Sequence, residues 1–242
     1  MSGRPVLTAY DWVPDFARGQ VRDLRVRWAL EEIGQPYDVA YLAQGTQKRE
    51  AHRALNPYGQ VPTYAEGDLV LFESGAIVLH LARIHRRLLP DDSGGAARAS
   101  EWLFAALNTV EPPIADHATA TIFEAHEPWS RARLPGIEAR VRQRLAETAA
   151  RLGEREWYDG DFSVGDLMMI SVLRLLRDDP LLTGEPTLAA YVARGQARPA
   201  FTRALAGQMA GFTGAPPPGF DRWRARLAAA QGADTCAMSV DS

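Results

Sequence analysis

Cysteine is almost missing from this chain: Cys236 is the only one in 242 residues. No intramolecular disulfide can form, no zinc site can be assembled from several thiolates, and no catalytic cysteine stands in the N-terminal half. Lysine is as scarce, Lys48 being the one exception among 27 basic residues. Against 30 acidic residues these leave a formal charge of −3, which offers no field to attract nucleic acid or an anionic membrane surface. No apolar run nears the roughly 18 residues of a membrane span, and the opening MSGRPVLTAY lacks the apolar stretch of a secretory signal, so a cytoplasmic location is expected. No GxGxxG follows the first strand and no phosphate loop is present, which argues against a nucleotide cofactor. The histidines are scattered, and His80 and His85 do not share a helical face, so no metal is expected.

What is present is an ordinary globular composition, 46% hydrophobic, with enough chain for two modest cores. Its most informative stretch is Asn56 to Ser74, NPYGQVPTYAEGDLVLFES. Asn56-Pro57 and Tyr58-Gly59 signal turns, an extended run starts at Val61-Pro62, Glu66-Gly67-Asp68 is a tight turn, and Leu69 to Phe72 is a second strand. Proline cannot donate to a ladder, so Pro62 starts its strand or sits on an edge. A Val61–Pro62 bond held cis would leave the Val61 N–H and C=O free to pair with an extended peptide. At the other end Glu73-Ser74 closes the hairpin and opens a helix, whose N-terminus favours an anion such as a carboxylate.

Taken in order, the chain reads as a strand over Pro5–Tyr10, a helix from about Gly19 to Ile33, a strand over Pro36–Leu42, a short helical segment over Thr46–Leu55, the hairpin, and a helix from Ser74 to Leu88. The order βαβα followed by ββα predicts a thioredoxin-like domain with a mixed sheet. Residues 90–96 have the composition of a linker, and beyond them only helical periodicity remains. A helix is expected from Ala97 to about Ala118 with a bend at Pro112-Pro113, and another through Ile137, Val141, Leu145 and Leu152. Ser163 and Asp166 fit a capping box ahead of LMMISVLRLL, which is apolar all round and therefore central. The expected organisation is a thioredoxin-like domain over 1–89, a linker over 90–96, an all-helical domain over 97–232 with a last helix from Phe220, and a disordered tail over 233–242.

A peptide-binding edge at Val61-Pro62, a helix start at Glu73-Ser74-Gly75-Ala76-Ile77, the capping box and the fragments around Trp102 to Pro112 and Arg198 to Ala204 together resemble the cytosolic glutathione transferases. The resemblance covers about Val6 to Gln208. It implies that Val61, with Pro62, pairs with the cysteinyl backbone of glutathione, that Glu73 and Ser74 hold its γ-glutamyl end, and that Gln47 and Lys48 meet its glycine carboxylate, with Gln60 as a further contact. It also implies a homodimer formed through the helices that start near Ser74 and Ala97, and a role in detoxification.

The chain departs from the family at the catalytic position. Conjugation requires the thiolate, and a free cysteine thiol has a pKa of about 8.5, so the site has to lower it. In register with the family's first helix, Gln20 stands where serine enzymes carry their hydroxyl and Arg22 where cysteine enzymes carry their thiol. Residues 16–22 contain no Ser, Thr, Cys or Tyr, and Tyr10 is out of register, fitting a structural role. The Gln20 amide is the first choice for the group facing sulfur and Arg18 the next, with backbone N–H groups of 17–20 and Arg22 as other routes. Trp12, Val13 and Phe16 on one side, and Leu107, Glu111 and Ile114 on the other, are the positions from which a pocket for a small hydrophobic electrophile would be built. Three functions are consistent with this sequence: conjugation of glutathione to such an electrophile, glutathione-dependent reduction of disulfides or peroxides with two glutathiones bound, and a non-catalytic binding module.

Overall fold

The computed structural model describes residues 3–222, 224 and 225. The expected last helix beyond Ala225, the tail and Cys236 lie outside the described residues.

The N-terminal part is a four-stranded sheet in the order β2-β1-β3-β4, with β1 (Val6–Tyr10) parallel to β2 (Asp38–Leu42), and antiparallel pairs β1 with β3 (Thr63–Glu66) and β3 with β4 (Leu69–Phe72). The mixed sheet follows from the connections: a helical crossover returns the chain parallel, and the tight turn at Gly67 returns it antiparallel. Three helices belong to this part, α1 (Asp23–Ile33), the short α2 (Glu50–Arg53) and α3 (Ser74–His85). It is a thioredoxin-like domain, as expected, and the rest of the described chain is helical.

The helical part comprises α4 (Ser93–Ala105), α5 (Glu111–Ala118), α6 (Ser130–Leu152), α7 (Val164–Leu173), α8 (Pro180–Thr183), α9 (Pro186–Gln196) and α10 (Pro199–Ala210). Helix α7 is its centre, with all its residues except Ser171 buried. The capping box is formed: Ser163 Oγ accepts from the Gly165 N–H at 3.2 Å, and Asp166 accepts from the Ser163 N–H at 3.0 Å. Tyr191 donates to the same buried Asp166 at 2.8 Å, which ties α9 to the start of α7.

Several boundaries differ from the sequence reading. Helix α4 starts at Ser93 rather than Ala97, because the Asp92 side chain caps it by accepting from the Gly95 N–H at 2.7 Å. The bend near Pro112-Pro113 is a π-helical turn over Ala106–Val110, after which the prolines occupy the first turn of α5, where a missing N–H costs nothing. Helix α1 starts at Asp23 rather than Gly19. Residues 17–20 instead form a turn, with Arg18 at φ −62°, ψ 132°, Gly19 at φ +73°, and the Gln20 N–H donating to the Ala17 carbonyl at 3.0 Å. That is a type II turn, which requires the positive φ that glycine supplies.

Candidate active site

The loop before β3 is built by side chains that fix its backbone. His52 Nε2 and Asn56 Nδ2 meet the Gln60 carbonyl at 2.9 and 3.0 Å, while the Asn56 side-chain Oδ1 accepts from the Tyr58 N–H at 3.0 Å. The Val61–Pro62 bond is cis, and the ladder begins only at Thr63, whose N–H donates to Thr8 Oγ1 at 2.7 Å. Gln47 is buried, with its side-chain oxygen accepting from the Gly45 N–H at 2.7 Å; exposed Lys48 reaches the Tyr58 carbonyl at 3.2 Å. Gln47, Lys48 and the Gln60–Pro62 edge are thus neighbours through one loop, although 12 residues separate Lys48 from Gln60.

Glu73 takes φ +68°, ψ 112°, a conformation uncommon for a non-glycine residue, and it turns the chain sharply from β4 into α3. No side chain caps α3, so its first N–H groups have no side-chain acceptor; they lie beside buried Ser74 and exposed Glu73. This arrangement suits a zwitterion: N–H groups and a hydroxyl for a carboxylate, and a carboxylate for an ammonium. Gly75 allows the close approach of the turn that follows α4, since a Cβ there would lie 2.6 Å from Leu107 Cδ1.

Behind Ser74 lies an ion network that sequence reasoning did not find. Arg25 is 4% exposed; its Nη1 donates to Ser74 Oγ at 3.3 Å and its Nη2 lies 3.1 Å from Glu111 Oε1. Arg22 reaches the same oxygen at 2.8 Å. Burial pushes the Glu111 carboxyl up, but Arg25 and Arg22 outweigh it and hold its pKa below the ordinary 4.5. The one available signal was the placement of Arg25 between Leu24 and Val26 on a helix whose first eight residues are all buried.

The helix-opening loop is held from the other side. Arg177 Nη1 donates to the Arg18 carbonyl at 3.1 Å, Arg174 Nη1 to the Gly19 carbonyl at 2.9 Å, and Gln208 Nε2 to the Val21 carbonyl at 3.1 Å and to Asp23 at 2.7 Å. Arg27 closes the cluster by donating to Asp23 at 2.7 Å. The half-exposed Gln20 side chain makes no hydrogen bond to any described residue. Arg18 turns toward the helical part, with Nε 3.3 Å from Asp15 and its guanidinium 5.8 Å from the Phe212 ring centre. Tyr10 ends β1 as expected, and burial followed by Asp23 raises its pKa, so it is a poor source of a phenolate.

The six positions proposed to form an acceptor pocket have different neighbours. Phe16 meets Phe123 edge-on at 5.9 Å, and Trp12 meets Phe220 edge-on at 4.7 Å, with Val13 buried between them in sequence. Ile114 is 1% exposed in the core, Glu111 is engaged by the two arginines, and Leu107 packs against α3 at Gly75. Glu111 and Ile114 are buried on α5, while Leu107 is half-buried in the π-helical turn before it.

Residues 6–83 match the family model for the N-terminal domain of glutathione S-transferase. A glutathione S-transferase of Zea mays is 30% identical over 183 residues, covering 71% of this chain and 78% of that protein. The PARB glutathione S-transferase of Nicotiana tabacum is 29% identical over 178 residues, covering 68% and 82%. Among solved structures, a glutathione transferase of Burkholderia graminis with two glutathione molecules bound per subunit superposes with a TM-score of 0.73 at 26% identity, covering 84% of this chain and 87% of that one. With the sheet order, the open start of α3 and these relatives in agreement, the chain belongs to the cytosolic glutathione transferase family.

Proposed function

We propose that this protein binds glutathione along the Gln60–Pro62 edge and at the start of α3, and activates its thiol as a thiolate for attack on a small hydrophobic electrophile. The observation that carries this reading is the uncapped N-terminus of α3 beside Ser74 and Glu73, next to a strand edge whose ladder begins only at Thr63. Gln47 and Lys48 are assigned to the glycine carboxylate, Val61 to the cysteinyl backbone, and the γ-glutamyl end to Glu73 and Ser74. The free Gln20 amide is the side-chain donor to sulfur, with Arg18 as the nearby cation. The aromatic pair Phe16 and Phe123, with Trp12, forms the acceptor side; Leu107, Glu111 and Ile114 have other partners. The two roles divide between residues 1–89 and the helical part that starts with α4 at Ser93.

A second reading is glutathione-dependent reduction of a disulfide with two glutathiones bound. It is favoured by the two molecules in the Burkholderia graminis structure and by the absence of a hydroxyl, thiol or phenol in residues 16–22. The homodimer implied by the family would use the α3–α4 face, where an apolar groove of about 510 Å³ is lined by Leu79, Phe104 and Leu107.

Retention on immobilised glutathione, followed by conjugation and disulfide-reduction assays, separates these readings. Retention with conjugation supports the first and retention with reduction alone the second. Retention without turnover leaves a binding module, and failure to be retained removes all of them.

A further inference from the structure

The type II turn at 17–20 raises a question the family's hydroxyl usually answers: what faces the sulfur. A trans peptide points its C=O and the following N–H in opposite directions. With the Arg18 carbonyl held by Arg177 and the Val21 carbonyl held by Gln208, the N–H groups of Gly19 and Arg22 are turned away from those donors. No described residue supplies an acceptor to either N–H. The third held carbonyl, that of Gly19, belongs to the peptide whose N–H, on Gln20, closes the turn.

The direction in which those N–H groups point follows from two helices. Phe201, Leu205 and Gln208 lie on one face of α10, and that face meets the loop together with Arg174, whose guanidinium lies 4.7 Å from the Phe201 ring centre. On α1, Asp23 and Arg27 face Gln208, whereas Arg22 and Arg25 face Glu111 and Ser74. At about 100° per residue these two pairs lie roughly 150° apart around the helix. The Arg22 N–H, turned away from Gln208, is therefore on the Ser74 side, where the proposed tripeptide lies, and the Gly19 N–H is turned away from Arg177.

We infer that Arg177, Arg174 and Gln208 are positioning residues for the thiolate: by holding the Arg18 and Val21 carbonyls, Arg177 and Gln208 aim the Gly19 and Arg22 N–H groups at the glutathione sulfur, beside the Gln20 amide, while Arg174 fixes the turn between them through the Gly19 carbonyl. The inference rests on the glutathione reading above. Arg174 adds an electrostatic contribution. It is 4% exposed and no carboxylate among the described residues comes within ion-pair reach. Burial, then Arg177, lowers its pKa to about 10, so it remains a cation at neutral pH. A buried cation with no carboxylate beside it favours an anion nearby.

The test is the pKa of the bound thiol, read from thiolate absorbance, in the wild-type chain and in Arg177→Ala and Arg177→Lys. Arg177→Ala is expected to raise it by about one unit, a tenfold smaller thiolate-to-thiol ratio, with partial recovery in Arg177→Lys, which keeps one donor. Affinity for S-methylglutathione, which has no ionisable thiol, should change far less. An unchanged thiol pKa, or an equal loss for both compounds, overturns the inference and leaves the glutathione reading standing. Failure of the wild-type chain to bind either compound overturns both. If Arg177→Ala folds poorly, the wild-type amide signals decide: those of Gly19 and Arg22 should titrate with bound glutathione and not with S-methylglutathione, and absence of that difference overturns the inference.

Discussion

Arg25 Nη1 donates to Ser74 Oγ at 3.3 Å, so the residue that opens α3 is fixed by a guanidinium from the first turn of α1. The same guanidinium meets Glu111 from the helical part at 3.1 Å, which couples the proposed γ-glutamyl site to the contact between the two parts of the chain. Removing one member of a buried pair strands the other charge, and this is costly. Glu111→Gln should destabilise the protein by about 3 kcal/mol in a urea titration. Arg22→Ala should cost under about 1 kcal/mol, because the Arg22 side chain is 49% exposed and its attraction is screened. Equal costs would contradict this division.

The same network sets a pH dependence. The Glu111 pKa is lower in the folded chain than in the unfolded one, so the unfolded state takes up the proton first as pH falls. Its contribution is full above the unfolded value of 4.5 and is lost as pH falls through the folded value. Denaturation midpoints taken from about pH 7 to about pH 3 should show the gap between wild type and Glu111→Gln closing on the acid side. A gap independent of pH would remove the network from the account.

Ser74→Ala should weaken glutathione binding by about tenfold, the worth of one hydrogen bond to a charged group. Lys48→Ala should weaken it by only about two- to threefold, since Lys48 is exposed and held by a single carbonyl. Calorimetry with glutathione checks both, and the reverse order would move the main anchor to the glycine end.

Gln20→Ala should reduce the thiolate-to-thiol ratio of bound glutathione by about three- to tenfold, the range for one neutral donor. Arg18→Ala should have a smaller effect, because its guanidinium is directed to Asp15 and Phe212. Absorbance of the bound thiolate against pH measures both. No change in Gln20→Ala would leave the backbone donors as the sole source of stabilisation.

Phe104, 52% exposed on α4 at the edge of the α3–α4 groove, is the residue whose replacement by a charged side chain should separate a homodimer. Phe104→Glu is expected to sediment as a monomer where the wild type sediments as a dimer. A wild-type monomer at micromolar concentration would end the dimer proposal.

Turn chemistry and short-range patterns determined much of this protein before any folding was considered. Val61-Pro62 and Gly67 mark their own turns, Glu73-Ser74 marks where strand gives way to helix, and Ser163 with Asp166 announces the helix they cap, because each signal is complete within a few residues. The alternation of elements was enough to fix the mixed sheet, and an apolar run without a polar face was enough to place α7 at the centre. Tertiary structure alone decided where buried charge would be balanced and which way the loop peptides would turn. Glu111 lies 89 residues from Arg22, and Arg177 lies 159 residues from the Arg18 carbonyl it holds. A surface charge and a buried one are written with the same letter, and the difference between them is made only when distant helices close over the site.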